Sequence, residues 1–138
     1  MFFGKKKKYE KNLQRFNFYI SEIVNEANSK YSTPDCYPSL KPLIDRMIDS
    51  SRNQIENWNA ETDVCTLAYK SIYNIAFDVL CSGTIHMYRG QLDPMKPGDK
   101  LLFIVDKCIL YFLKNGFISQ KDSEDQKKIL WENINSVG

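Results

Sequence analysis

The fold class follows most directly from residues 62–89, TDVCTLAYKSIYNIAFDVLCSGTIHMYR. At 100° per residue, small and β-branched side chains fill one face of a helix here, and aromatic or long apolar side chains fill the adjoining face. Only a narrow strip is polar, and it consists of Asp63, Lys70, Asn74 and Asp78. A helix that is apolar on two faces needs neighbours on both sides. We therefore expect Thr62–Arg89 to be a central helix.

A second central helix is predicted over Lys100–Asn115, antiparallel to the first. The segment before it, Gly90–Gly98, contains two prolines and has a glycine at each end, so it cannot continue a helix. Asp99 is the predicted N-cap. Gly116 suits the left-handed backbone position that follows a helix.

Three further amphipathic helices are expected around this pair. The first spans about Lys8–Lys30, the second follows an N-cap at Ser39 and reaches about Trp58, and the last begins near Ser119 or at Ser123, where Ser123–Gln126 matches a capping box. No segment alternates as a strand would. The predicted fold is all-α: a single-domain bundle of about five helices in residues 9–138, preceded by a flexible basic tail in residues 1–8.

Composition narrows the class of protein. The 138 residues are 43% hydrophobic and 26% charged, which is ordinary for a globular domain, and the net charge is +2. Lys5–Lys8 supply four positive charges, so the rest of the chain is slightly acidic and is not suited to nucleic acid. The basic run lacks the apolar stretch of a signal peptide, and no segment is long and apolar enough to span a bilayer. We expect a cytoplasmic protein.

The titratable residues predict neither a metal site nor an enzyme. No two of the four cysteines have Cys-x-x-Cys spacing, and the chain has a single histidine. Cys65, Cys81 and Cys108 fall in predicted helices and are interpreted as buried, reduced thiols. No nucleophile motif, carboxylate pair or phosphate-binding glycine loop is present. We predict no catalytic residues, no metal and no cofactor.

One polar cluster ends the first central helix. It contains His86, Tyr88 and Arg89, and Asp93 follows in the loop. These side chains are candidates for a polar pocket. The alternative is structural: Arg89 would bond the last carbonyls of the helix, and His86 would be a hydrogen-bonded core residue.

The second central helix presents a candidate surface for a partner protein. Its polar residues form one stripe, which includes Asp106 and Lys107, and Phe103 and Leu110 fall in the middle of it. Either another segment of the chain covers these two apolar side chains, or they form an apolar patch with a charged rim. Such a patch is the usual composition of a protein–protein contact.

The leading hypothesis is a small protein that acts by binding another protein, as an inhibitor, immunity protein, anti-defence factor or adaptor does. A homodimer is also possible. The first alternative is a ligand-binding protein or enzyme with its pocket near His86. The second is peripheral membrane contact through Phe2, Phe3 and Lys5–Lys8, since lysines are attracted to anionic lipid. The abundance of Lys, Asn, Ile, Tyr and Phe fits an AT-rich bacterial or phage genome.

Overall fold

A computed structural model describes residues 2–31, 35–80 and 96–137, and within these ranges the chain forms six α-helices and no strand. The helices are α1 Phe2–Lys30, α2 Tyr37–Ser50, α3 Arg52–Asn57, α4 Glu61–Asp78, α5 Lys96–Lys114 and α6 Gln120–Val137. They pack into one bundle around a shared core. The predicted all-α, single-domain fold is confirmed.

The core lies where α1, α4 and α5 meet. α4 and α5 are antiparallel central helices, and α1 packs against both of them. The face of α4 that was predicted to be small and β-branched is the buried one, since Ala68, Ile72 and Ala76 are fully enclosed. Side chains of α1 and α5 complete this core, among them Phe16, Ile20, Ala27, Leu101, Ile104 and Cys108.

α1 begins earlier than predicted. Its first residue is Phe2 and not Lys8, so the lysine run lies on the helix. Lysine is a good helix former, and the bundle contacts this region: the Lys8 ammonium donates to the side-chain oxygen of Asn59, and the Arg52 guanidinium lies 4.4 Å from the centre of the Tyr9 ring. The division into a flexible tail and a bundle stays a prediction.

The second predicted helix is corrected in two ways. It begins at Tyr37 and not after Ser39, because the Asp35 carboxylate accepts the Tyr37 N–H at 2.9 Å and so caps the helix from outside. It also breaks at Ser51, whose φ and ψ are −104° and 14°. The Ser50 hydroxyl donates to the Met47 carbonyl at 3.0 Å, a competition with the backbone that is typical of serine near a helix end.

The remaining helix ends test three predicted caps. α5 starts at Lys96, so Asp99 falls within its first turn and is not its N-cap. Gly116 is confirmed in the left-handed region, with φ of 73°. The Gly116 N–H bonds the Leu113 carbonyl and the Phe117 N–H bonds the Phe112 carbonyl, which is the Schellman arrangement.

α6 begins at a different capping box from the one predicted. Ser119 and Asp122 each accept the other's backbone N–H, at 3.0 and 3.3 Å, so Ser123 lies inside the helix and is buried. Ile129 of this helix is apolar, but 45% of its surface is exposed. The reason is geometric: Ile129 lies 100° around the helix from the buried Leu130.

Candidate functional site

The predicted polar pocket lies outside the described residues. His86, Tyr88, Arg89 and Asp93 all fall in the interval between residues 80 and 96. The predicted continuation of the first central helix to Arg89 falls there as well, because the described part ends at Leu80. Both stay predictions.

The structure separates the four residues of the predicted partner surface on α5. Phe103 is half-buried and packs against the core, so its own chain covers it. The Lys107 ammonium pairs with the Glu26 carboxylate of α1. Asp106 and Leu110 remain at the surface, and 53% of Leu110 is exposed. Together with the exposed Lys114, one turn further on, they form a row that we call the α5 ridge (Asp106, Leu110, Lys114).

α6 reaches this row at Asp106 but leaves Leu110 exposed. The Lys127 ammonium lies 3.9 Å from the Asp106 carboxylate, and both side chains are about half exposed. A pair of this kind contributes little to stability in water. Ser123 and Leu130 of α6 are buried, whereas Leu110 of α5 stays exposed.

A groove along α4 is a prominent concave feature of the described residues. Its volume is about 630 Å³, and we call it the α4 groove. The floor is formed by Asp63, Thr66, Leu67 and Lys70, which share one face of α4 because they are spaced at i, i+3, i+4 and i+7. One wall comes from the end of α3 and the residue after it (Gln54, Asn57, Trp58), and the other wall is Phe117, between α5 and α6.

A buried amide holds the first wall in place. Asn12 of α1 is only 6% exposed, and its side-chain nitrogen donates to the Ile55 carbonyl at 2.6 Å and to the Trp58 carbonyl at 3.2 Å. It thereby satisfies carbonyls that α3 leaves open at its end. The Trp58 ring also stacks on Phe16, with 6.4 Å between ring centres. Trp58 is therefore fixed from two sides.

The second wall depends on the turn after α5. The left-handed Gly116 reverses the chain and directs Phe117 back toward α4, where its ring centre lies 5.4 Å from the Lys70 ammonium. This is a cation–π contact at an exposed site. Phe117 nevertheless keeps 49% of its surface exposed, so the ring is available to a ligand.

The charges of the α4 groove lie at its two ends. Asp63 and Lys70 are two helical turns apart, which places their backbones about 10 Å apart along the axis. Both are exposed, and neither forms an ion pair with another residue of the described ranges. The groove thus has an acidic end, a basic end and apolar surface between them.

A smaller depression of about 340 Å³ continues the groove beyond Lys70. Tyr73, Asn74, Phe112 and Ile118 complete its lining. The Tyr73 hydroxyl donates to the Gln126 side-chain oxygen of α6 at 2.9 Å, which closes this end. The two depressions share Lys70 and Phe117 and form one continuous trough.

The aromatic row of α4 is mainly structural. Tyr69 stacks on Tyr111 of α5, with 4.0 Å between ring centres and 8° between planes, and the hydroxyls of Tyr111 and Thr66 lie 3.0 Å apart. Burial is the main reason that the pKa of Tyr69 rises to about 12. Tyr69, Tyr73 and Phe77 all pack against the core, and of these three only Tyr73 reaches the trough.

Two of the described thiols are buried. Cys108 was expected in the core, and Cys36, at the start of α2, is equally enclosed. Burial raises the pKa of Cys36 to about 11, although the positive charge of Lys100 acts in the opposite direction. Burial likewise raises the pKa of Cys108. Cys65 is half-buried. Buried thiols with raised pKa values are poor nucleophiles.

Part of this groove could be recognised from the sequence. Asp63, Lys70 and Asn74 were recognised as the polar strip of a central helix, and that strip is the floor of the trough. No spacing in the sequence indicates that Trp58 and Phe117 flank it, because they belong to segments about 60 residues apart.

Other site classes find no support in the described ranges. No three His, Cys, Asp or Glu residues there are grouped so as to hold a metal ion. No helix in this part of the chain combines the length and the apolar character needed to cross a membrane. Comparison with protein-family models, with curated protein sequences and with solved structures gives no match.

Proposed function

We propose that this protein acts by binding another protein, and that the α4 groove receives a short segment of that partner. One observation carries the proposal. Exposed aromatic surface and two opposite charges, Asp63 and Lys70, line a single trough, and neither charged side chain forms an ion pair with a described residue. Aromatic residues enclosed by polar ones are the usual composition of a protein contact.

The shape of the groove favours a chain segment over a small molecule. Small-molecule sites usually enclose most of the ligand surface. The α4 groove is instead open along its length, and its lining residues Asp63, Lys70 and Phe117 are exposed. A peptide needs such a site, because it enters from the side and is held at several points.

The charges define what the segment must carry. An acidic side chain would pair with Lys70, a basic one with Asp63, and an apolar one would lie over Leu67 between Trp58 and Phe117. In an extended chain, which rises about 3.3 Å per residue, the two charges would be three to four residues apart. The polarity is fixed, because reversing the segment would oppose like charges.

Selection from a library of 12-residue peptides displayed on phage tests this function. We expect enriched peptides to contain an acidic and a basic residue about three to four positions apart with an apolar residue between them. In fluorescence anisotropy, Lys70→Glu should weaken such a peptide about tenfold or more, since a favourable charge contact becomes repulsive. Lys128→Glu, an exposed charge change on α6, is the matched control and should leave the affinity within about twofold.

A charge exchange makes the test specific. Replacing the peptide's acidic residue by lysine should restore binding to Lys70→Glu and weaken binding to the wild type. The assignment of the groove would be refuted if the library enriched no peptide. It would also be refuted if the enriched peptides bound Lys70→Glu and the wild type with equal affinity.

A further inference from the structure

The α5 ridge has an order of residues that the α4 groove lacks. Asp106, Leu110 and Lys114 are spaced by four residues, so each follows the last with a rotation of only 40° and they form one row on the helix. Rows of this spacing are the ridges through which helices most commonly pack. Along the chain, the side chains of this row are acidic, then apolar, then basic.

This order is complementary to itself. If a second copy of α5 lies antiparallel across the first with the two Leu110 side chains in contact, a two-fold axis passes between them. Asp106 then faces Lys114 of the other copy, and the same pair forms again on the opposite side of the axis. Both charges lie about 6 Å along the helix from Leu110, so the two pairs have equal reach. A parallel arrangement would place like charges together.

The surroundings leave the ridge accessible to such a copy. Leu110 is 53% exposed, whereas Phe103, two turns earlier on the same side of the helix, packs against the core. Lys107, which could repel an approaching basic residue, already pairs with Glu26. The ridge therefore offers an apolar centre with an acid and a base at its rim. The acid, Asp106, lies 3.9 Å from Lys127 of its own chain, and an exposed pair of this kind contributes little in water.

We propose that the α5 ridge is a homodimer interface in which two copies of α5 cross antiparallel at Leu110. One helix from each copy buries less surface than a standard interface of about 1,600 Å². The dimer is accordingly weak, with a dissociation constant in the micromolar range and rapid exchange of subunits. It is independent of the peptide-binding function, because the α4 groove contributes no residue to it.

Analytical ultracentrifugation of the full chain from about 5 to about 500 µM tests the proposal. The wild type should shift from monomer to dimer across this range. Leu110→Asp should remain monomeric, since it places two carboxylates at the axis. Circular dichroism should show unchanged helix content, because the position is exposed. A wild type that stays monomeric at the highest concentration would overturn the proposal.

Charge reversal tests the antiparallel geometry. Asp106→Lys leaves two basic residues on the ridge and Lys114→Asp leaves two acidic ones, so each variant alone should dimerise about tenfold or more weakly than the wild type. Mixing the two should give a heterodimer of near wild-type affinity, since every pair is again opposite in sign. Asp49→Lys and Lys121→Asp, on exposed faces of α2 and α6, are the matched controls and should dimerise normally. A mixture that stays monomeric, or single variants that dimerise as the wild type does, would contradict this pairing.

Discussion

The α4 groove and the α5 ridge lie on the two central helices and differ in shape and in symmetry. The groove is concave, and three separate parts of the chain line it. The ridge is convex and belongs to one helix. The groove carries its charges at the ends of an asymmetric trough, whereas the charges of the ridge are arranged evenly around Leu110. An asymmetric surface needs a different molecule as its partner, and a row with this balance is satisfied by a copy of itself.

The proposed role of the α5 ridge requires Leu110 to be a surface residue. Two leucines of α5 test this requirement. Leu101 is 1% exposed and Leu110 is 53% exposed. Leu101→Ala should lower the free energy of unfolding by about 2–5 kcal/mol, because it leaves a cavity in the core. Leu110→Ala should lower it by less than about 0.5 kcal/mol. Urea unfolding at low micromolar protein concentration measures both. Equal losses would mean that the ridge is covered.

The α4 groove should depend on the hydrogen bonds that Asn12 donates, whereas the α5 ridge should not. Asn12→Ala leaves the Ile55 and Trp58 carbonyls without their donor and should cost about 1–3 kcal/mol of unfolding free energy. It should also weaken groove peptides, since Trp58 is no longer fixed, and leave dimerisation unchanged. Asn17→Ala, at an exposed position of the same helix, is the control for urea unfolding. A parallel loss of peptide binding and dimerisation would show that the two surfaces are coupled.

A smaller effect is expected at the turn that directs Phe117 into the groove. Gly116→Ala should cost about 1 kcal/mol, because a side chain at a φ of 73° is strained. No neighbouring atom lies within 4 Å of the added carbon, so the cost comes from the backbone alone. Gly4→Ala, at an equally open position within α1, should cost nothing and can stabilise the helix. Thermal unfolding distinguishes them; equal melting temperatures would contradict the strain.

The smallest effect concerns the Tyr69–Tyr111 stack that joins α4 to α5. The pKa of Tyr69 rises to about 12 from its ordinary value of 10, so the folded protein keeps this proton where the unfolded chain loses it. The resulting stabilisation is complete below pH 10 and is lost as the pH rises toward 12. Tyr69→Phe should therefore show a shallower fall of unfolding free energy between about pH 9 and pH 11.5. An unchanged slope in the variant would mean that Tyr69 is not protected in the fold.

The helices could be predicted because each has a continuous apolar face, and α4 and α5 show this most clearly. The start of α1 was missed because Lys5–Lys8 add no apolar period to the pattern, and the break at Ser51 was missed because the pattern of apolar residues runs across it. Periodicity placed Phe103 and Leu110 together on the polar stripe of α5, but which of the two stays exposed was left open, because cover by another segment depends on tertiary packing.

The groove could not be predicted in the same way. Trp58 reaches it through a hydrogen bond from Asn12, and Phe117 through the turn at Gly116, and neither relation is local in the sequence. The polar strip of α4 could be recognised in the sequence, but the walls of the α4 groove are formed by tertiary packing. Periodicity predicts which residues share one face of a helix, whereas the exposure of that face and any groove between helices depend on the fold.

The position of Trp58 has a spectroscopic consequence. The chain contains two tryptophans, Trp58 and Trp131, so Trp131→Phe leaves the groove residue as the sole indole fluorophore. Trp58 is half-buried and lines the α4 groove, which means that a bound segment would displace water from one face of its ring. Occupancy should then shift its emission toward shorter wavelength. The protein carries an intrinsic optical reporter at the site where a partner is proposed to bind.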